Sequence, residues 1–192
     1  MVIGKSLSTE DQNLVHTAVQ KAGASTGAEV NVTIVPASGT YIGYVFADAF
    51  LLSSLIDLIL WHENYAQDFP LFLLIQIAVI AAAVLLPWIR RLFIRLLPKH
   101  VRHHQAAKSA GLEYLHLMHH VPAGKPVVML YVSLAERYVH VMHSRALRDR
   151  VDNSAWLDIV TRFTETMKKT GLKEASLQAV GNIEAALLSK KA

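Results

Sequence analysis

Two long apolar stretches interrupt an otherwise mixed pattern of polar and apolar residues. Residues 71–89 carry no charge, and Gln76 is their one strongly polar side chain. At about 1.5 Å per residue, a helix of this length nearly matches a hydrocarbon core of about 30 Å. We therefore expect a transmembrane helix here, because a buried helix of a soluble protein normally keeps a polar stripe.

The other apolar stretch, residues 42–61, contains two carboxylates, Asp48 and Asp57. Each lies toward one end, where a charge costs less than the roughly 2.5–3.5 kcal/mol of the bilayer centre. Their spacing puts them on opposite sides of a helix, which argues against one shared proton or metal site. We expect both to reach water or lipid headgroups and the stretch to span the membrane. The alternative is that its first part packs in a soluble domain and the membrane portion is short or re-entrant.

Lysine and arginine are distributed asymmetrically around these stretches. The connection 62–69 has neither, whereas basic residues follow the second stretch closely. Because basic residues are retained in the cytoplasm, we expect a two-helix hairpin in a bacterial inner membrane with both termini cytoplasmic. The predicted membrane-interface residues are Trp61, Trp88, Arg90, Arg91, Arg95 and Lys99. The basic residues are expected to form a juxtamembrane helix in the headgroup layer, so the net charge of +4 indicates lipid, not nucleic acid.

Removing residues 42–99 leaves residues 1–41 and 100–192, which together have the size of a single domain. The first part predicts a helix from Ser8 or Thr9 and a strand at 30–35. The second predicts a helix at about 101–120, strands at 127–134 and 138–143, and two final helices. This order indicates an α/β fold with a mixed sheet, in a cytoplasmic domain that the hairpin splits.

Residues 127–151, VVMLYVSLAERYVHVMHSRALRDRV, together with residues 26–38, TGAEVNVTIVPAS, resemble the TPM domain family. The likeness is greatest to bacterial membrane members in which a transmembrane hairpin interrupts the domain. Its most specific pieces are residues 132–137, the helix with Trp156 and the final helix with Gly181. The resemblance covers nearly the whole chain and implies a three-layer α/β/α arrangement. Family relatives include an acid phosphatase, a photosystem repair factor and a receptor modulator, so the family implies no single activity.

Three carboxylates, Glu29, Glu136 and Asp149, are the candidates for a divalent-cation site, which would require them to converge at one end of the sheet. Turn formation, helix capping and pairing with nearby arginines explain the same residues without a site. Where relatives often have an acidic residue and a glycine after the second hairpin strand, this chain has Ser144 and Ala146. That difference weakens a metal-dependent phosphatase interpretation.

Six histidines form two groups with the spacing i, i+3, i+4, namely His100, His103 and His104, then His116, His119 and His120. Zinc would accept such donors on one helix face. There is no HExxH sequence and no cysteine in the chain, and the nearest acid is Glu113. We expect these histidines to face solvent or headgroups, with zinc binding as the alternative.

Two classes of function follow. The first is a membrane-anchored accessory or interaction domain that binds a protein or lipid partner, such as the bilayer, a membrane protein or a second copy, without catalytic residues or a cofactor. The alternative is a metal-dependent, acid phosphatase-like hydrolase that uses calcium or magnesium. A transporter fits less well, because two spans enclose no pathway without oligomerising.

Overall fold

A computed structural model describes residues 7–39, 41–62, 69–86, 89 and 97–189. Its helices are α1 (Thr9–Thr26), α2 (Ile42–His62), α3 (Phe69–Leu85), α4 (Lys99–His120), α5 (Arg145–Arg148), α6 (Asn153–Lys169) and α7 (Leu172–Leu188). Its strands are β1 (Glu29–Val35), β2 (Val127–Ser133) and β3 (Tyr138–His143). The chain divides into two compact units, residues 1–38 with 103–192, and residues 39–102.

The three strands of the first unit form one sheet in the order β1-β2-β3. Strand β1 runs parallel to β2, with Glu29 opposite Val127 and Val35 opposite Ser133. Strand β3 is antiparallel to β2, with His143 opposite Val128. The predicted α/β class with a mixed sheet is confirmed. All seven residues of β2 are buried, as expected for a central strand that is covered on both faces.

Successive residues of β2 contribute to two separate apolar clusters, because side chains alternate between the faces of a strand. Leu130 packs with Val32 and with residues of α1, α6 and α7, among them Phe163. Met129 and Tyr131 point to the other face, where they pack with Ala110 of α4. The sheet therefore joins the segment before α2 to the segment after α3.

Helix α1 has a well-defined beginning and end. The Asp11 N–H donates to the Ser8 hydroxyl over 3.1 Å, and acidic residues occupy the first turn, where the helix dipole favours them. The helix stops at Gly27, whose φ of 71° is the left-handed conformation typical of a C-terminal glycine. The chain then reverses into β1.

In the second unit, α2 packs against α3. Tyr41, Val45 and Ala49 form a buried cluster with Ala83 of α3 and with Leu97. The buried residues of α2 recur every fourth position and continue through Ser53 to Asp57. The other sides of both helices expose large apolar residues, such as Leu51 at 66% and Ile77 at 67%.

The predicted helix at 71–89 is wrong at both ends, because α3 begins at Phe69 and ends at Leu85. Leu86 is not helical, whereas the basic segment for which a juxtamembrane helix is expected lies mostly outside the described residues. The residue before a proline is disfavoured in the helical conformation, and Leu86 precedes Pro87. At 17 residues, α3 is about 25 Å long.

One helix in the part of the chain that the structure describes, α2, is long and apolar enough to cross a membrane by length and composition. Its Asp48 is half-buried. The expectation that Asp57 reaches water or headgroups is wrong: the residue is 6% exposed, and neither carboxylate oxygen has a hydrogen-bond partner among the described residues.

Candidate functional site

A groove of the first unit lies beside the start of β1 and has a volume of 520 Å³. The C-terminal half of α1 forms one wall, and Leu117 of α4 and Lys125 contribute further lining. The groove exists because small residues occupy this side of α1 and the turn that follows it, namely Gly23, Ala24 and Ala28. Its volume is within the range of ligand-binding pockets, about 300–1,000 Å³.

Polar groups line this groove beside apolar ones. His16 and Gln20 project from α1, and Asn31 belongs to β1. At the mouth, the Lys125 Nζ lies 2.7 Å from Glu29 Oε2. A groove that combines hydrogen-bonding groups with apolar surface suits a polypeptide segment or a small polar molecule.

The structure separates the three candidate carboxylates. Glu29 begins β1, whereas Glu136 lies in the turn after β2, so the parallel register puts them at opposite ends of the sheet. Seven residues of strand correspond to about 20 Å. Asp149 is exposed and lies just after α5. Helix α5 follows β3, whose last residues lie at the same end of the sheet as Glu29. The convergence that a divalent-cation site on these three residues would require is therefore absent, because Glu136 lies at the opposite end of the sheet from Glu29.

Glu136 is 2% exposed and is held by the domain's own donors. Its Oε2 accepts a hydrogen bond from the Ser133 hydroxyl, and its Oε1 accepts one from the Ser38 N–H over 3.0 Å. The Ser38 hydroxyl lies 3.0 Å from the Tyr131 hydroxyl, which donates to Ser109 over 3.0 Å. This network ties the turn between β2 and β3 to the segment that follows β1.

Of the predicted membrane-interface residues, Trp61 is 61% exposed near the end of α2, and Lys99 is exposed at the start of α4. The other four, Trp88, Arg90, Arg91 and Arg95, lie outside the described residues.

The two histidine groups differ in their contacts. His103 packs its ring edge-on against Tyr138, with 5.8 Å between the ring centroids. In the second group, the Nε2 atoms of His116 and His120 are 3.4 Å apart, and the His120 ring also contacts His119. No three histidine or acidic side chains gather into a metal-binding group within the described ranges.

A line of aromatic and histidine side chains on β3 is not predicted by the sequence analysis. Tyr138 and His140 lie on one face with ring centroids 6.0 Å apart, whereas His143 stacks on Trp156 on the other face at 5.3 Å. Burial, reinforced by the nearby His143, lowers the pKa of His140. The alternation in YVHVMH was the signal, since it assigns each ring to a face.

No protein-family model matches this chain, and no curated protein sequence matches it. The fold is similar to that of the NMR structure of the BA42 protein from the psychrophilic bacterium Bizionia argentinensis, with a TM-score of 0.53 and 10% sequence identity. The match covers 97% of this chain and 84% of that chain. At this level of identity, the similarity shows a common fold and does not extend to function.

Proposed function

We propose that this protein is a membrane-anchored interaction domain that binds a segment of a partner protein in the groove between α1 and β1. The observation that carries the proposal is the groove itself, an open 520 Å³ site lined by both polar and apolar residues. A binding role needs no cluster of reactive groups. A metal-dependent phosphatase needs one, and Glu29 and Glu136 are on opposite ends of the sheet.

The anchoring part of the proposal is a two-span hairpin of α2 and α3 in a bacterial inner membrane, with both termini in the cytoplasm. It is supported by the apolar surface that both helices expose, since soluble monomers rarely expose large contiguous apolar patches. Helix α3 is shorter than a typical span, and a short helix is accommodated by local thinning of the bilayer. The orientation rests on the basic residues that follow α3 in the sequence.

We also propose that the split unit is a TPM-like domain with helices on both faces of its sheet. The two apolar clusters, one with α1, α6 and α7 and the other with α4, support a layered arrangement. The hairpin would hold this domain, and its groove, at the cytoplasmic face of the membrane. A membrane protein is therefore the favoured partner.

The topology is tested with reporters in otherwise unchanged protein. The first reporter is a fluorescent protein that folds only in the cytoplasm; fused after Ala192, it should be bright. The second is an alkaline phosphatase that is active only in the periplasm; inserted at residues 63–68, it should be active. Extraction with alkaline carbonate should leave the protein in the membrane pellet. Release into the supernatant, or periplasmic activity of the C-terminal fusion, would refute the anchoring proposal.

Groove binding is tested with a photo-crosslinking amino acid at Gln20, which is exposed at the rim. We expect a discrete adduct in the membrane fraction. Ala24→Phe, which fills the groove, should abolish it, whereas Lys21→Phe, at an exposed position of the same helix outside the lining, should not. Neither exposed substitution should change stability by more than about 0.5 kcal/mol. Equal adduct yields in the two variants would contradict the proposal.

A further inference from the structure

The end of α4 brings two imidazole nitrogens together. His116 and His120 are one turn apart on the exposed side of the helix, with Nε2 atoms 3.4 Å apart and ring centroids 4.7 Å apart. An N–H donor on one ring and a lone pair on the other make a weak hydrogen bond at that distance. The pair therefore gains little stability from its own contact.

We propose that His116 and His120 form a two-histidine site for a late first-row divalent cation such as zinc, nickel or copper. With metal–nitrogen bonds of about 2.0–2.1 Å, a tetrahedral ion holds two ligand nitrogens about 3.3–3.4 Å apart. The observed separation of 3.4 Å matches this edge length. Rotation about the Cβ–Cγ bonds, which is soft for an imidazole, aims both lone pairs at one ion.

The surroundings of the pair favour a cation. Both histidines lie in the last turns of α4, where unpaired carbonyl groups and the helix dipole create negative potential. Glu113 lies on the same face one turn earlier, at the i, i+3, i+7 spacing with the two histidines. Water completes the coordination, because the structure supplies two protein ligands.

The ligand types set the class of ion. Imidazole nitrogen suits zinc, nickel and copper, whereas magnesium and calcium require oxygen ligands. Copper should bind most tightly of the divalent series, with zinc and nickel weaker. Acidification should weaken binding, because protons compete for the same nitrogen atoms.

The test uses full-length protein in detergent, with any polyhistidine tag removed, and titrates zinc by calorimetry. We expect one zinc ion per chain and no saturable binding of calcium. In His116→Ala and in His120→Ala, zinc should bind at least about tenfold more weakly, since even the loss of an outer-sphere partner lowers the affinity of a metal site about tenfold. Both positions are exposed, and alanine is the better helix former, so the variants should fold.

His104→Ala is the matched control, an exposed histidine on the same helix that belongs to the other group. It should leave zinc affinity unchanged. In a second measurement, the electron paramagnetic resonance spectrum of bound copper should show coupling to two nitrogens, reduced to one in His120→Ala. Absence of saturable zinc binding, or an equal loss of affinity in His104→Ala, would overturn the assignment.

Discussion

Lys125 Nζ lies 2.7 Å from Glu29 Oε2, which joins the loop before β2 to the first residue of β1 at the mouth of the groove. Both side chains are 39% exposed, so water and salt screen the pair. We expect Lys125→Ala to lower the unfolding free energy by about 0.2–1 kcal/mol, and less at high salt. A double-mutant cycle with Glu29→Gln, followed by thermal unfolding in detergent, measures the coupling. A coupling of several kcal/mol would mean that the pair is shielded from solvent.

The buried carboxylate of Glu136 should contribute much more to the free energy of unfolding than the exposed pair of Lys125 and Glu29. Glu136→Ala leaves the Ser38 N–H and the Ser133 hydroxyl without their acceptors, and each such loss is typically about 1–3 kcal/mol. We expect a loss of roughly 2–4 kcal/mol by denaturant unfolding. Glu136→Gln keeps one acceptor oxygen and should be milder. Equal losses of stability in the two variants would show that the carboxylate charge, and not the hydrogen-bond geometry, determines the stability contributed by Glu136.

The elements of this fold were largely predictable, because their signals are local. The strand at Tyr138–His143 follows from alternation, and the helix at Asn153–Lys169 follows from its apolar face and the glycine after it. The early end of α3 also had a local signal, Pro87, but the continuous apolar run outweighed it in our prediction.

The candidate site was less predictable, because it depends on pairing and on rotamers. The convergence of Glu29 with Glu136 fails because β1 is parallel to β2, and the direction of pairing is not a local property. The groove arises where small residues of α1 meet the start of β1, which no single segment shows. The 3.4 Å approach of His116 and His120 depends on side-chain rotation, although their i, i+4 spacing was visible.

His140 makes the stability of the domain depend on pH. Burial and the nearby His143 lower its pKa in the folded protein, so the unfolded chain binds the proton more readily. The contribution of His140 to the free energy of unfolding is fully present above the pKa of the unfolded chain, about 6.5. It is lost as the pH falls through the pKa of the folded protein. We expect the melting temperature to fall between pH 7 and 5 more steeply in the wild type than in His140→Gln. The two proteins differ at this one residue, so the difference between the two curves isolates His140; identical curves would refute the effect.

Asp57 should destabilise the hairpin. Its carboxyl group is buried with no hydrogen-bond partner among the described residues, and a buried polar group without a partner is unfavourable. We expect Asp57→Leu to raise hairpin stability by about 1–3 kcal/mol, measured by thermal unfolding in detergent. Asp48→Leu, at a half-buried position of the same helix, is the matched control and should have a smaller effect. Lower stability of the Asp57 variant would indicate that the carboxylate has a partner in the assembled protein.

The network that joins Ser38 to Glu136 connects residues 98 positions apart, on either side of the apolar hairpin. During synthesis at about 5–20 residues per second, β1 leaves the ribosome roughly 5–20 s before β2 exists to pair with it. In that interval, the apolar residues of β1 and α1 have no folded core to enter. Helices α2 and α3 are therefore synthesised before β1 has its sheet partner, and the domain closes only after translation has passed β2. Chaperone dependence and slow maturation are the expected physiological signs of this order of events.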